Sequence, residues 1–586
     1  MLRLLTTLIA LGTALNAQDF YPLEDVKAGQ SGKARTVFAG TEVEEFDVEI
    51  LGVLKNFSGA KRSAIFGRLS GGPLDRTGVM AGMSGSPVYI DGRLAGAVAF
   101  IFPFTTAPLA GIRPIEDMVA GYEEGTDVAE TLAADPLDAW RQLAGLPSAT
   151  SRPRAEAPGR FVPIATPVAL AGFSERVFDE FRDEFERLGL RPVQGAGGAS
   201  ADDLEGPLGP GSMISVGLIR GDMTFSASGT VTHMDGDTLF AFGHRFLSAG
   251  ATQMPMMRAS VMTLVPNLTA SFKLSSSGPV IGTVSLDRDS GVVGQMGPGP
   301  PMVPCSIRVR LGDGPSHEYS IELVRDAQLT PFLLQIALFS AMDGIHRAVG
   351  PLTVRMRGSV EFEDGLPPLV LDDIYTGTGG VAQAAALSTA APLSYLLQIG
   401  HPGVEMHSID IEVESVPTIQ QTDLLRAWLS KQHVRPGEDV EVRFASKEPD
   451  GTEVLRSASF TVSPSMPAGA VEVTLGDAFT ANLQRWRGLF AGRKASDASA
   501  TIRFLNDLRG SDQAYLRVWQ RRRSLWLRSD RLQSPPASVR AVLSTSAGRA
   551  AGVLDDLSDT IEEIRVGGFT GVVQGRLSLR FVVTGN

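Results

Sequence analysis

Ser84 lies in a run of small residues whose types suit a nucleophilic serine. The run GMSGSP, residues 82–87, separates two apolar stretches within TGVMAGMSGSPVYIDGRLAGAVAF at 77–100. A serine hydroxyl is a weak nucleophile, so it needs a general base and donors for the oxyanion that develops. Gly82 and Gly85 allow a sharp turn in which the amides of Gly82 and Ser84 point into one pocket. Glycine-serine turns between strands are also common without chemistry, so both interpretations stay open at this point.

His244 is the candidate for the base. The segment GTVTHMDGDTLFAFGHRFLSAG predicts a hairpin with its turn at residues 234–237 and with Gly243 and His244 at the end of its second strand. A neutral imidazole delivered there is the general base that a serine nucleophile needs. The alternative is a structural histidine. His233 is a rival base, but it lies at the turn, where we expect it to be exposed.

The sequence offers no obvious carboxylate to orient the imidazole. Asp237 lies seven residues before His244, which is roughly 23 Å along an extended strand. The predicted hairpin places His244 opposite Ser228, which leaves Asp222 roughly 20 Å away. Asp75 sits in a loop that could fold back, and we take it as the candidate acid. A serine–histidine pair oriented by a backbone carbonyl or a hydroxyl is the alternative.

The elements that must position these residues indicate a mainly β protein. The chain has 586 residues, too many for one core, and its 64 glycines and 36 prolines favour many turns and short strands. EEFDVEILGVL alternates as a strand does, and PVYIDGRLAGAVAF predicts a hairpin with Asp91-Gly92 at its tip. RPIEDMVAGY, SERVFDEFRDEFERLG and TPFLLQIALFSAMDGI predict helices, the last of them buried.

Composition limits the class of protein and its location. A net charge of −12 gives no electrostatic basis for binding nucleic acid. The single Cys305 excludes an intramolecular disulfide framework and a cysteine zinc cluster, and we expect no metal and no cofactor.

The first residues, MLRLLTTLIALGTALNA, carry one basic residue and an apolar core that ends near Ala17. This pattern predicts a signal peptide, and hence a periplasmic or extracellular protein without a membrane span, although an uncleaved anchor is the alternative.

The two candidate segments resemble the SpoIVB peptidase family, serine peptidases of the trypsin-like clan. GMSGSPVYIDGRLAGAVAF with AGIRPIEDM is similar to the family's serine motif. GTVTHMDGDTLFAFGHRF, followed by IGTVSLDRDSGVVG and EYSIELV, is similar to its histidine motif. The resemblance covers roughly residues 34–120 and 212–325. It implies that Ser84 is the nucleophile, that His244 is the general base, and that the amides of Gly82 and Ser84 form the oxyanion hole.

Two features depart from the family pattern. The histidine precedes the serine in the sporulation peptidase, whereas here Ser84 precedes His244 by 160 residues. A site between two barrels tolerates either order, because either barrel can come first. The family's aspartate lies ahead of its serine, where RLSGGPLDRTG offers only Asp75.

The resemblance therefore implies two chymotrypsin-like β-barrels in permuted order, followed by a β-sandwich-like and α+β accessory region. The implied function is an exported serine endopeptidase that acts on a protein or peptide of the cell envelope. The alternative is a non-catalytic envelope protein that uses the same scaffold to bind peptides. The predicted parts are a signal peptide (1–17), a serine-bearing barrel (18–125), a helical and Pro/Gly-rich linker (126–211), a histidine-bearing barrel with helices (212–415), a β-sandwich-like module (416–480) and an α+β module (481–586).

Overall fold

A computed structural model describes most of the chain. The predicted signal peptide, 1–17, and the first part of the predicted linker, 126–160, lie outside the described residues. The described residues are 20–59, 62–103, 105, 107–123, 161–195, 197–198, 204, 206–267, 270–345, 349–490, 497–521, 524–527, 530–532, 535–543, 545, 553–556 and 559–585.

The first barrel is a closed ring of six antiparallel strands. Its elements are β1 (Ser31–Val37), β2 (Val43–Gly59), β3 (Arg62–Ser70), α1 (Leu74–Thr77), β4 (Pro87–Ile90), β5 (Arg93–Ile101), β6 (Leu109–Pro114) and α2 (Ile115–Glu123), and β7 (Val162–Pro163) pairs with β5. The strands pair in the order β4-β1-β2-β3-β6-β5, and β5 pairs back with β4. The β4–β5 hairpin turns at Asp91 and Gly92, whose φ angles of 50° and 75° suit the predicted two-residue loop. Alternate side chains of β2, such as Phe46, Val48 and Ile50, fill the barrel core.

The second barrel repeats this closure with six further strands. Its sheet begins with β8 (Thr166–Ala171), β9 (Leu190–Gln194), β10 (Met213–Gly221), β11 (Thr224–Asp235), β12 (Thr238–Ala241), β13 (Gly250–Val265), β14 (Phe272–Arg288) and β15 (Gly291–Met296). Strands pair in the order β10-β13-β14-β15-β12-β11, and β11 pairs back with β10, always antiparallel. The predicted fold class, mainly β with barrels, is confirmed. Strands β8 and β9, from the predicted linker 126–211, extend this sheet beyond β11.

The same sheet continues past the barrel and packs on helices. Its outer strands are β16 (Met302–Leu311), β17 (Ser316–Val324), β18 (Val349–Phe362), β19 (Leu369–Gly379) and β20 (Met406–Val416), and its helices are α3 (Val177–Glu180), α4 (Arg182–Arg187), α5 (Leu329–Asp343) and α6 (Val381–Gln398). Helix α5 is buried along most of its length, as its apolar sequence predicts. The helix predicted for SERVFDEFRDEFERLG is instead two short helices with a break at Phe181. Within the described residues, no helix has the length and apolar character needed to cross a membrane.

The C-terminal region has two larger sheets that share one core. Its elements are β21 (Gln421–Leu429), β22 (His433–Val434), β23 (Asp439–Lys447), β24 (Glu453–Thr461), β25 (Gly469–Gly476), α7 (Ala478–Phe490), α8 (Ala498–Asn506), β26 (Ala514–Gln520), β27 (Ser524–Leu527), β28 (Asp530–Leu532), α9 (Ala537–Leu543), β29 (Val553–Asp556), β30 (Asp559–Val566), β31 (Val572–Gln574) and β32 (Arg576–Val583). A four-stranded and a five-stranded sheet share buried residues that include Phe444, Leu516 and Phe581. The predicted modules 416–480 and 481–586 therefore contribute to one core.

Apolar contacts join the two barrels near the candidate site. Leu94 and Met118 of the first barrel pack with Phe240 and Leu286 of the second. A single bridge also pairs Ala81, just before the Ser84 turn, with the first residue of β14. The turn between α1 and β4 thus lies where the barrels meet.

Candidate functional site

The turn that carries Ser84 requires glycine at two positions. Gly82 and Gly85 have φ angles of 94° and 91°, a region that residues with a Cβ rarely adopt. Space adds to this requirement at Gly85, because a Cβ there would lie 2.0 Å from the Thr230 carbonyl oxygen and 2.5 Å from the Phe242 nitrogen. The turn is therefore in direct contact with strands of the second barrel.

Strand β11 holds the backbone of this turn. The Thr230 amide donates to the Ser84 carbonyl at 2.9 Å, and the Thr230 hydroxyl donates to the Gly82 carbonyl at 3.0 Å. The Thr232 hydroxyl donates to the Gly85 carbonyl at 2.7 Å. The Gly85 amide in turn donates to β5 of the first barrel at 2.8 Å. The position of Ser84 thus depends on both barrels.

The amides of Gly82 and Ser84 are left available as donors. In the described part of the chain neither amide has a hydrogen-bond acceptor, whereas the amides between and after them are bonded. The carbonyl in the same peptide unit as the Gly82 amide accepts the Lys273 amide at 3.0 Å. The carbonyl in the same unit as the Ser84 amide accepts the Ser86 amide at 3.0 Å and the Ser86 hydroxyl at 2.6 Å. These bonds orient and polarise both peptide units, which is what an oxyanion hole requires.

Ser84 and Ser86 use their hydroxyls differently. The Ser86 hydroxyl stabilises the turn through its bond to the Met83 carbonyl. Ser84 is 0% exposed, and its Oγ has no hydrogen-bond partner among the described residues. Buried hydroxyls are nearly always bonded, so an unbonded one at this turn is unusual. Of the two serines, Ser84 is the one whose hydroxyl the turn leaves unbonded among the described residues.

His244 lies in a loop that follows the hairpin. Strand β12 ends at Ala241, so the predicted placement of His244 opposite Ser228 is wrong. The backbone turns sharply at Phe242 and Gly243, whose φ angles are 68° and 67°. A positive φ at a phenylalanine is strained, and the fold must impose it.

This sharp turn brings His244 next to the serine turn. A Cβ on Gly243 would lie 3.5 Å from the Val98 carbonyl oxygen of β5. The same carbonyl accepts the Gly85 amide at 2.8 Å. The glycine before His244 and the glycine after Ser84 therefore meet at one carbonyl group, although the two motifs lie 160 residues apart in sequence.

The imidazole of His244 is oriented by the backbone. Its Nδ1 lies 2.7 Å from the Arg245 carbonyl oxygen, which can only accept, so Nδ1 carries the proton. Its Nε2 is buried and has no partner in the described structure. The pKa of His244 is lowered to about 4, mainly by burial and in smaller part by the charge of Arg113, against the opposing effect of the Arg245 bond. The ring is therefore neutral at pH 7, with an unprotonated Nε2.

Asp75, the predicted acid, forms no hydrogen bond or ion pair with the imidazole in the described structure. It lies on α1 and is exposed. Both ring nitrogens of His244 are accounted for without it, since Nδ1 is bonded to the Arg245 carbonyl and Nε2 is unbonded among the described residues. The rival base His233 packs its ring against Phe20, with 5.2 Å between ring centroids. The structure thus brings the Ser84 turn and the His244 loop together at the Val98 carbonyl, without Asp75 as a hydrogen-bond partner of the ring.

Two residues that the sequence did not single out hold the loop around His244. Arg113 of β6 is 1% exposed and donates from Nε to the Gly243 carbonyl at 3.2 Å. The Asp287 carboxylate accepts the amides of Phe246 and Leu247 at 2.7 and 2.6 Å and the amide of Ala249 at 3.1 Å. An arginine within the apolar stretch LAGIRPI is a weak signal for the first of these residues. Nothing in the local sequence distinguishes the second from the other aspartates nearby.

The described residues also bear on metal binding. Within them, no group of three or more histidine, cysteine, aspartate or glutamate side chains is placed to hold a metal ion.

Comparison with known proteins gives one match. The model of the SpoIVB peptidase S55 family matches residues 17–118, which include the first barrel and the Ser84 turn. No curated protein and no solved structure matches the chain. The match confirms the resemblance predicted from the serine motif and supports a serine peptidase. The serine-bearing part of this chain is therefore similar to the SpoIVB peptidase S55 family.

Proposed function

We propose that this protein is an exported serine endopeptidase in which Ser84 is the nucleophile and His244 is the general base. One observation carries the proposal. The Ser84 Oγ and the His244 Nε2 are both buried and unbonded among the described residues, on two segments that meet at the Val98 carbonyl. Leaving two such groups unbonded costs stability, and catalysis explains why they are kept.

The reaction follows from the roles of these atoms. The Ser84 Oγ attacks the carbonyl carbon of the scissile peptide bond while its proton passes to the His244 Nε2. The developing oxyanion accepts hydrogen bonds from the amides of Gly82 and Ser84. The imidazolium then gives its proton to the leaving amine, which leaves an acyl-enzyme that water hydrolyses by the same steps in reverse roles. The Arg245 carbonyl, in place of a carboxylate, stabilises the imidazolium through Nδ1.

Two observations favour the non-catalytic alternative, a scaffold that binds peptides. Ser84 is fully buried, and no carboxylate bonds to either ring nitrogen of His244 in the described structure. A substrate must therefore displace the residues that cover the serine before it can react. A binding protein has no such requirement.

Proteolysis of an unfolded protein separates the two functions. We expect the full-length protein to cleave reduced, denatured casein, with new termini detected by mass spectrometry. Ser84→Ala should abolish cleavage, whereas Ser465→Ala, at an exposed site in the C-terminal region, should leave it unchanged. Cleavage that survives in Ser84→Ala would place the nucleophile elsewhere. Binding of casein by the unaltered protein without cleavage would favour the scaffold.

Export is part of the proposal and has its own test. A reporter phosphatase that is active only outside the cytoplasm, fused after the first 30 or so residues, should be active if the N-terminal pattern directs export. An inactive reporter would contradict export without affecting the proposed chemistry.

A further inference from the structure

Lys273 is a buried amine beside the proposed oxyanion hole. It lies at the start of β14 and is 1% exposed. Its Nζ donates to the Thr36 hydroxyl at 2.6 Å and lies 3.6 Å from the Met213 sulfur. Burial lowers the pKa of Lys273 to about 7.

The side chain of Lys273 runs along the serine turn. A Cβ built on Gly82 would lie 3.3 Å from the Lys273 Cβ and Cδ atoms and 3.4 Å from its Cγ. The Nζ is two bonds beyond Cδ, so it lies within roughly 6 Å of that position. The Lys273 amide also donates to the carbonyl of the peptide unit that contains the Gly82 amide, at 3.0 Å. The side chain of Lys273 therefore packs beside Gly82, and its backbone amide is bonded to the peptide unit that contains the Gly82 amide, one of the two proposed oxyanion donors.

No opposite charge compensates this amine in the described structure. The groups that face it are Thr36 of β1, Phe38 just after β1, Met213 of β10 and Gly82 of the turn, and none of them is charged. Burying an amine without a partner charge destabilises a fold. Packing alone would be served better by a methionine, so the amine needs another explanation.

We propose that Lys273 is a positioning residue for the oxyanion hole, and that its ammonium charge strengthens the Gly82 amide as a donor to developing negative charge. This inference rests on the proposed function and deepens it. Lys273 is not the base in this arrangement, because its Nζ is bonded to Thr36 and the Ser84 Oγ is not bonded to it.

The two roles predict opposite pH dependence. The ammonium is present below about pH 7 and is lost above it, so a positioning role makes Ser84 less reactive as the pH rises through 7. A lysine base would make Ser84 more reactive over the same range.

A fluorophosphonate probe measures this reactivity without knowledge of the substrate. Its reaction forms a bond between the Ser84 Oγ and phosphorus, expels fluoride and transfers the hydroxyl proton to His244, while negative charge develops on the phosphoryl oxygen. We expect the labelling rate of the full-length protein to fall as the pH rises through about 7. Lys273→Met should label about tenfold more slowly at about pH 6 and should lose this pH dependence, since removing a charge near an oxyanion weakens its stabilisation. Lys431→Met, at an exposed lysine, is the matched control and should behave like the unaltered protein.

A second variant covers the case in which Lys273→Met does not fold. Thr36→Val removes the hydroxyl that accepts from the ammonium, so the charged form is less favoured and the decline in labelling should move to lower pH. Equal rates and equal pH profiles for Lys273→Met and the unaltered protein, or an unmoved profile in Thr36→Val, would overturn this inference alone. Failure of the unaltered protein to label at Ser84 would overturn the proposed function and this inference with it.

Discussion

At the scale of single residues, the site depends on contrasts between similar side chains. Ser84 and Ser86 lie two positions apart, yet one hydroxyl is unbonded among the described residues and the other supports the turn. Residue types in the sequence were enough to select Ser84, Gly82 and His244 as candidates. They could not select the group that orients the imidazole, because a backbone carbonyl has no sequence signature and every residue carries one. The charge of Asp75 and its place in the chain make it a candidate acid, yet the structure leaves it exposed.

The two serines should respond in opposite ways to truncation. Ser84→Ala removes a buried hydroxyl with no partner in the described structure, so the free energy of unfolding should stay the same or rise by about 1 kcal/mol. Ser86→Ala breaks the bond to the Met83 carbonyl and should lower it by about 1 kcal/mol. Urea denaturation of both variants measures the difference. A larger loss in Ser84→Ala than in Ser86→Ala would show that the Ser84 hydroxyl is bonded in solution.

The pH dependence of hydrolysis should reflect the burial of His244. The base acts in its neutral form, and its pKa is lowered from 6.5 to about 4, so kcat/KM should hold as the pH falls to about 4 and decline below it. Initial rates on a casein-derived peptide over this range provide the measurement. An acid decline centred near the ordinary histidine value would show that the imidazole is solvated in the free protein.

At the scale of elements, the serine turn and the histidine loop are shaped by strands of the opposite barrel. The local sequence predicts the alternation of buried side chains in β2 and the Asp91-Gly92 turn, and the structure has both. The end of β12 at Ala241 could not be predicted from the sequence, because the apolar run FAFG continues the strand pattern. Contact with Gly85 and β5 turns the chain there instead.

Thr230 offers a test of how β11 supports the oxyanion hole. Thr230→Val keeps the shape of the side chain and removes the donor to the Gly82 carbonyl. We expect kcat to fall about tenfold with little change in KM, because the donor geometry matters most in the transition state. Thr224→Val, at the start of the same strand, is the control and should keep the original kcat. A change confined to KM would contradict this role.

Asp287 offers a matching test for the histidine loop. Asp287→Asn weakens the bonds to three amides of residues 246–249, since only one side-chain oxygen then accepts. Stability should fall by about 2–3 kcal/mol, and activity should fall because His244 loses its fixed position. Asp237→Asn in the exposed hairpin turn is the control. The kcat is measured well below the unfolding temperature. A variant that loses stability but keeps its kcat would show that the bonds of Asp287 do not fix the position of the His244 ring.

At the scale of the whole molecule, the mainly β structure followed from strand patterning, and the two closed rings followed from the resemblance to a peptidase family. The C-terminal region did not follow in the same way. Strand β32 pairs with β25 across about a hundred residues of intervening chain, and such pairings leave no local signal. Helix α8 also packs Ile502 and Leu505 into the core that contains the second barrel. The C-terminal region therefore stabilises the histidine-bearing half without supplying any proposed catalytic group.

Ile502 tests this division between stability and chemistry. Ile502→Ala leaves a cavity in the shared core and should lower stability by about 2–4 kcal/mol. Fluorophosphonate labelling at Ser84 should keep its rate at temperatures where the variant is folded. Ile561→Ala, at an exposed position, is the control for stability. A folded Ile502→Ala protein that labels slowly would show that the C-terminal region helps to shape the site.

The most direct test of the central claim is to locate the fluorophosphonate adduct by peptide mapping of the full-length protein. The geometry of the turn and of the imidazole predicts one adduct, on Ser84, formed much more slowly in His244→Gln because no base then takes the proton. Intact mass should show a single addition, and fragmentation should place it within GMSGSP, residues 82–87, on the first serine. An adduct on Ser86 or on another residue, or a rate that His244→Gln leaves unchanged, would contradict the account.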